Sequence, residues 1–145
     1  MAKFTVELRL PPRELSPNAR PHWTLKSKAV KSYREECAST FRLANLPRFI
    51  SPVIVHLEFY QFRNPALKVL RPRKGVYEFP FAISRDEDNA RASFKSGQDS
   101  MKDAGVIPDD GRKNVRSGSC TLYSTQKEHQ GRTCLVVTIE GELAQ

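Results

Sequence analysis

The sequence predicts an α+β fold, a two-layer arrangement in which a mixed β-sheet has two helices packed on one face, in the order β-α-β-α-β-β. Three observations predict it. Period-two alternation of apolar residues marks the beginning, the middle and the end of the chain, and two intervening stretches carry apolar residues at three- and four-residue steps. The 145 residues, 39% of them hydrophobic, also suffice for one core and leave too little material for two. Residues 1–145 are therefore expected to form a single domain, with a basic loop inserted at about 63–80.

The first strand is read from Lys3 to Leu10, where Phe4, Val6, Leu8 and Leu10 alternate with Thr5, Glu7 and Arg9 until Pro11 and Pro12 end it. From Pro12 to Trp23 the turn formers Pro12, Pro17, Asn18 and Pro21 predict an ordered loop. Its Asn18, Arg20, His22 and Trp23 are open to two uses, packing the loop or touching a ligand. Thr24 is the expected N-cap of a helix running to about Asn45, whose stripe of Val30, Tyr33, Cys37, Phe41 and Ala44 faces the core. Lys26, Lys28, Lys31 and Arg34 lie off that stripe, as a solvated face or as phosphate contacts.

A central strand is expected from Ser51 to Phe62. Val53, Val55, Leu57 and Phe59 form one face, while Ile54 and Phe62 make the other partly apolar around His56, Glu58 and Tyr60. Periodicity then stops. Arg63, Lys68, Arg71, Arg73 and Lys74 stand among Pro65, Pro72, Gly75 and Pro80, which reads as a long basic loop or a flexible hairpin, and long loops in compact domains tend to be functional. With Arg85 these cations are the candidate nucleic-acid contacts. The second helix is predicted from Asp86 to Ala104, opened by the capping-box pattern Ser84-x-x-Glu87 and closed by Gly105, with Pro108 beyond. Two strands, Val115 to Ser124 and Arg132 to Leu143, complete the chain, with Glu128 to Gly131 as their expected hairpin turn.

Charge narrows the function. Against 16 Asp and Glu stand 24 Lys and Arg, a net charge of +8, which favours a polyanionic partner and nucleic acid before others. Cys37, Cys120 and Cys134 form no Cys-x-x-Cys pair, and His22, His56 and His129 are equally scattered, so neither a disulfide framework nor a zinc site is expected. No run of about 18 apolar residues exists and the first residues lack a signal-peptide pattern, so a soluble, unexported protein of a reducing cytoplasm is expected, with no membrane partner.

The chemistry concentrates in the second helix. On a continuous helix, Ala90, Phe94, Gly97, Met101 and Ala104 cluster within roughly 80° as the buried face. Asp88, Lys95 and Asp99 fall within roughly 40° of each other opposite it, with Asp86 just before and Asp109 and Asp110 in the turn after. Each piece has an ordinary reading: acids suit a helix start, Lys95 and Asp99 make an i, i+4 pair, and Asp-Asp-Gly is a common turn. Yet an acidic cluster inside a strongly basic chain is also what phosphodiester cleavage needs. Hard divalent cations take carboxylate oxygens, polarise the phosphate and generate hydroxide, and a nearby lysine offsets developing charge.

The run Asp86-Glu87-Asp88-Asn89, then Lys95, Asp99, Ala104-Gly105-Val106-Ile107 and Asp109-Asp110, resembles the signature of the RusA-like endodeoxyribonucleases, Holliday-junction resolvases often found in phage and prophage. Pro11-Pro12, Leu15, Pro17-Asn18, Arg20 and His22-Trp23 resemble the same family's N-terminal loop. The resemblance implies a homodimer that nicks branched DNA such as four-way junctions in pairs, with Mg²⁺ as cofactor and Mn²⁺ as substitute, in the cytoplasm of a bacterium or phage-infected host. It implies that Asp86, Asp88 and Asp110 bind metal and act with Lys95 in catalysis, while Asn89, Asp99 and Asp109 support them. Arg85 stands where many relatives have proline, and the basic loop is long. The alternative is a protein that holds branched DNA on the same fold without cutting it.

Overall fold

The computed structural model describes residues 1–17, 19–50, 52–62, 81–83, 87–108, 114–125 and 134–144. Strand β1 spans Ala2–Leu8, and a short 3-10 turn, Arg13–Leu15, leads to helix α1, Trp23–Leu43. Then follow β2 (Val53–Phe62), β3 (Phe81–Ile83), α2 (Glu87–Ser93), α3 (Lys95–Asp103), β4 (Val115–Thr125) and β5 (Cys134–Gly141). The described strands form a five-stranded sheet in the order β1-β5-β2-β4-β3. It is mixed, because β2 and β4 run parallel while β1–β5, β5–β2 and β3–β4 are antiparallel. The α+β class and the central place of β2 are as expected.

One sheet face is apolar and covered. In register, Val6 lies beside Val137, and Val137 beside Leu57, while Leu8, Leu135 and Phe59 make the next row. These residues are buried and join Tyr33, Cys37 and Phe41 of α1 and Met101 of α3 in one core cluster. Burying side chains of this size contributes roughly 1.5–3 kcal/mol each. The other face is held by cross-strand polar pairs: Thr5 with Thr138 at 3.1 Å, His56 with Glu140 at 3.0 Å, and Tyr60 stacked on Tyr123 at 4.8 Å between centroids. On that face the His56 hydrogen bond, before Lys3, holds the Glu140 carboxyl below its ordinary range.

Strand pairing and helix continuity differ from expectation. The last two strands are not a hairpin: β2 lies between β4 and β5, and the expected turn Glu128 to Gly131 is outside the described residues. Alternation alone fixes which residues of a strand face the core, and β5 meets that demand between β1 and β2 as well as it would beside β4. The predicted second helix is also broken at Phe94, whose φ and ψ are −91° and 3°. There the Phe94 N–H donates to Arg91 O at 3.1 Å, while the Ser93 hydroxyl takes the Ala90 carbonyl at 2.6 Å. A side chain has replaced a backbone donor, which tightens one turn and starts a new helix.

The signalled end of that region is as expected. Gly105, at φ 75°, closes α3 with Val106 N–H donating to Met101 O and Gly105 N–H to Lys102 O, both at 3.0 Å. This is a Schellman motif, and it turns Val106 and Ile107 into the core. At the start of α1 the cap is His22 rather than Thr24, with His22 Nδ1 accepting from the Thr24 N–H.

Helices α1 and α3 are clamped by Arg34, which donates to both Asp103 carboxylate oxygens at 2.5 and 2.9 Å. The hydrogen bonds from Arg34 hold the Asp103 carboxyl below its ordinary 3.8. A depressed acid stabilises the fold above its unfolded pKa, and that contribution is lost as pH falls through the folded value. Replacing Asp103 with Asn is therefore expected to cost up to about 1 kcal/mol at pH 6, and the difference from the parent to vanish in acid below the depressed value. Urea denaturation midpoints of both proteins at the two pH values measure this. A gap that does not narrow in acid removes Asp103 as its source.

All three cysteines are buried. Burial, first of all, pushes the Cys37 thiol up to about 11, so it stays protonated at neutral pH and serves as packing. Among the described residues no helix is long and apolar enough to cross a membrane.

Candidate functional site

The break at Phe94 shapes the candidate site. Phe94 is buried, and a Cβ on Gly97 would overlap its ring, so the glycine is the residue that lets the ring lie flat against α3. The predicted buried face is otherwise as expected: Gly97 and Met101 are buried, and Ala90 and Ala104 pack against the core. The predicted helix carrying Asp88, Lys95 and Asp99 is divided at Phe94, which puts Asp88 on α2 and Lys95 and Asp99 on α3. Asp88 lies exposed on α2, with Asn89 half-buried beside it, and Lys95 and Asp99 share the first turns of α3.

Those two residues are in direct contact. Lys95 Nζ donates to Asp99 Oδ1 at 2.6 Å, with the lysine side chain 65% exposed and the aspartate 20%. Asp99 thus fixes the ammonium at the surface instead of standing free as a ligand. Both line a cleft of about 330 Å³ between the α2–α3 junction, α1 and the N-terminal loop, with Lys26 across from Lys95 and Leu15, Pro17, Val30 and Ala92 as apolar wall. Ser96 Oγ, in the same wall, is buried without a hydrogen-bond partner among the described residues.

Helix α2 is tied to the sheet at a β-bulge. Gly118 and Ser119 of β4 together oppose His56, since Val55 pairs with Ser117 and Leu57 with Cys120. Arg91 of α2 donates to Gly118 O at 2.5 Å on one side of the bulge. On the other, the Ser119 N–H donates to His56 Nδ1 at 3.0 Å. The other ring nitrogen, Nε2, lies 3.0 Å from Glu140 Oε2. The anchoring role of Arg91 was not legible in the sequence, because its partner is a backbone carbonyl 27 residues away.

Asp86, Asp109 and Asp110 lie outside the described residues, as do Arg63, Lys68, Arg71, Arg73, Lys74, Arg85 and the capping-box residue Ser84. In the sequence, Asp86 immediately precedes α2, and Asp109 and Asp110 follow the buried Val106 and Ile107 and Pro108. Among the described residues no three His, Cys, Asp or Glu side chains converge. Asp88 is a hard oxygen donor open to solvent, and the acids around it in sequence are of the same kind, so the donor set suits Mg²⁺ or Mn²⁺ and not a soft metal.

No family model matches the chain. It is similar to an uncharacterized protein of Xylella fastidiosa (strain Temecula1 / ATCC 700964), with 31% identity over 134 residues that cover 92% of this chain and 75% of the relative. On that extent of shared sequence, the chain belongs to the same family as this X. fastidiosa protein.

Proposed function

We propose that the protein is a Mg²⁺-dependent, RusA-like endodeoxyribonuclease that resolves four-way junctions or related branched DNA by paired nicks, acting as a homodimer in the cytoplasm of a bacterium or phage-infected host. The observation that carries the reading is the Lys95–Asp99 pair. A lysine held by a 2.6 Å bond, yet mostly exposed at the rim of a cleft, is preorganised to meet an anion arriving from solvent. Asp88 is exposed on the preceding short helix, which begins one residue after Asp86.

Asp86, Asp88 and Asp110 are the proposed holders of the metal, which when bound polarises the scissile phosphate and lowers the pKa of a water. Lys95 offsets charge that develops on the phosphate, and Asp99 keeps its ammonium in place. Asn89 and Asp109 support the carboxylates, and Arg91 fixes α2, and with it Asp88, to the bulge in β4. Two such sites related by a two-fold axis would match the symmetry of a four-way junction and permit opposed strands to be cut.

A labelled synthetic four-way junction, with linear duplex as control, tests this in Mg²⁺ and in EDTA. Symmetric nicks that require Mg²⁺ are expected, whereas tight junction binding without cleavage in Mg²⁺ or Mn²⁺ would leave a DNA-binding protein that does not cut. Arg71, Arg73 and Lys74 are proposed to neutralise phosphates together with Arg63, Lys68 and Arg85. Changing Arg71, Arg73 and Lys74 to Gln is expected to weaken junction binding and to reduce the slope of log affinity against log salt by up to about 3. An unchanged salt slope would make the segment a bystander.

A further inference from the structure

The start of α1 presents an aromatic surface that the proposed cleavage does not use. Trp23, the chain's one tryptophan, is 73% exposed at the first position of the helix, and Leu25 beside it is 56% exposed. The His22 ring lies 5.7 Å from the indole with a tilt of 33°. Its orientation is fixed by the cap, since His22 Nδ1 accepts from the Thr24 N–H at 3.3 Å and lies 2.7 Å from Thr24 Oγ1. A large ring is thus held out in water beside a second ring that the backbone keeps in place.

Exposed cations flank these residues along the chain. Arg13 and Arg20 are exposed and line an open cleft of about 350 Å³ with Leu25 and Glu14, and Lys26 and Lys28 are exposed on the following turns. The first turn of α1 has no acid. Lys26, three residues after Trp23 on the same helix, also lines the neighbouring cleft that holds Lys95. Rings set among cations favour a polyanion with exposed flat faces over an apolar protein partner, whose site would be a contiguous apolar patch. A duplex buries its base faces in the stack; an unpaired strand does not.

We propose that His22 and Trp23 form a stacking platform for an unpaired base of single-stranded DNA, whose flanking phosphates lie against Arg13, Arg20 and Lys26. This rests on the branched-DNA reading and deepens it, since a junction with strands opened near the cut would offer such a base next to Lys95. Stacking on an aromatic side chain tolerates any base, so the platform selects opened structure and not sequence.

The single tryptophan makes the test direct. The protein is titrated in EDTA with an oligothymidylate, with an abasic strand of the same length and with blunt duplex. Trp23 emission and the anisotropy of the labelled DNA are read together. Strong quenching by the oligothymidylate, little by the abasic strand or the duplex, is expected. Trp23→Ala is expected to weaken oligothymidylate binding on the order of 10-fold, and Trp23→Phe to retain most of the affinity. Binding with unchanged emission, equal quenching by the abasic strand, parental affinity in Trp23→Ala or no binding of the oligothymidylate each overturns the platform. Without metal the readout is independent of cutting. Quenching by a protein that never cuts junctions defeats the endonuclease alone, and Mg²⁺-dependent cutting with silent tryptophan emission defeats the platform alone.

Discussion

Asp88→Asn is expected to lower junction cleavage by on the order of a thousandfold or more while leaving junction binding equal or tighter. The substitution keeps the size of the side chain and removes one charged oxygen donor. Metal assistance is worth several kcal/mol of transition-state stabilisation, and each 1.36 kcal/mol is about tenfold in rate. Binding moves the other way, because the lost charge would otherwise face phosphate. Asp88 is exposed on α2, so the variant should melt with the parent. Single-turnover cleavage and junction affinity measured on the same preparation decide the matter. Cutting at the parental rate would remove Asp88 from the site.

Phe94→Ala is expected to cost about 3–5 kcal/mol of stability, enough to unfold much of a marginal domain. The ring is 1% exposed, sits at the junction of α2 and α3, and lies against Gly97, where the backbone has given up a Cβ to admit it. Removing it leaves a cavity that a glycine cannot fill. It also withdraws the anchor that holds the tightened turn between Arg91 and Lys95. Phe94→Leu, which restores most of the volume, should lose far less. Urea denaturation of both variants checks this, and a loss below about 1 kcal/mol in Phe94→Ala would show that the junction is not packed around the ring.

Much of this protein was legible in its sequence. The alternation of Val53, Val55, Leu57 and Phe59 and of Leu135, Val137 and Ile139 determined two core strands. The Tyr33, Cys37 and Phe41 stripe determined the buried face of α1, because in each case one local period must match one apolar face. Gly105 determined where α3 ends, since the left-handed backbone there favours the residue without a Cβ. The contact of Lys95 with Asp99 followed from i, i+4 spacing alone.

Other features depended on partners distant in sequence. Local patterning is silent about which strand edge a strand will find, so only the sheet decided that β2 separates β4 from β5. The second helix read as continuous because its buried residues keep the helical period across the break; the Ser93 hydroxyl's capture of the Ala90 carbonyl is a choice between two donors that the period does not record. Likewise the anchor of Arg91 on the Gly118 carbonyl and the exposure of Trp23 beside the capping His22 were decided by where the sheet and the loop came to rest. Sequence determined what is local, the faces and the ends of its elements, because those answer to the chain's own geometry; tertiary structure decided the pairings, because they answer to what the rest of the chain brings alongside.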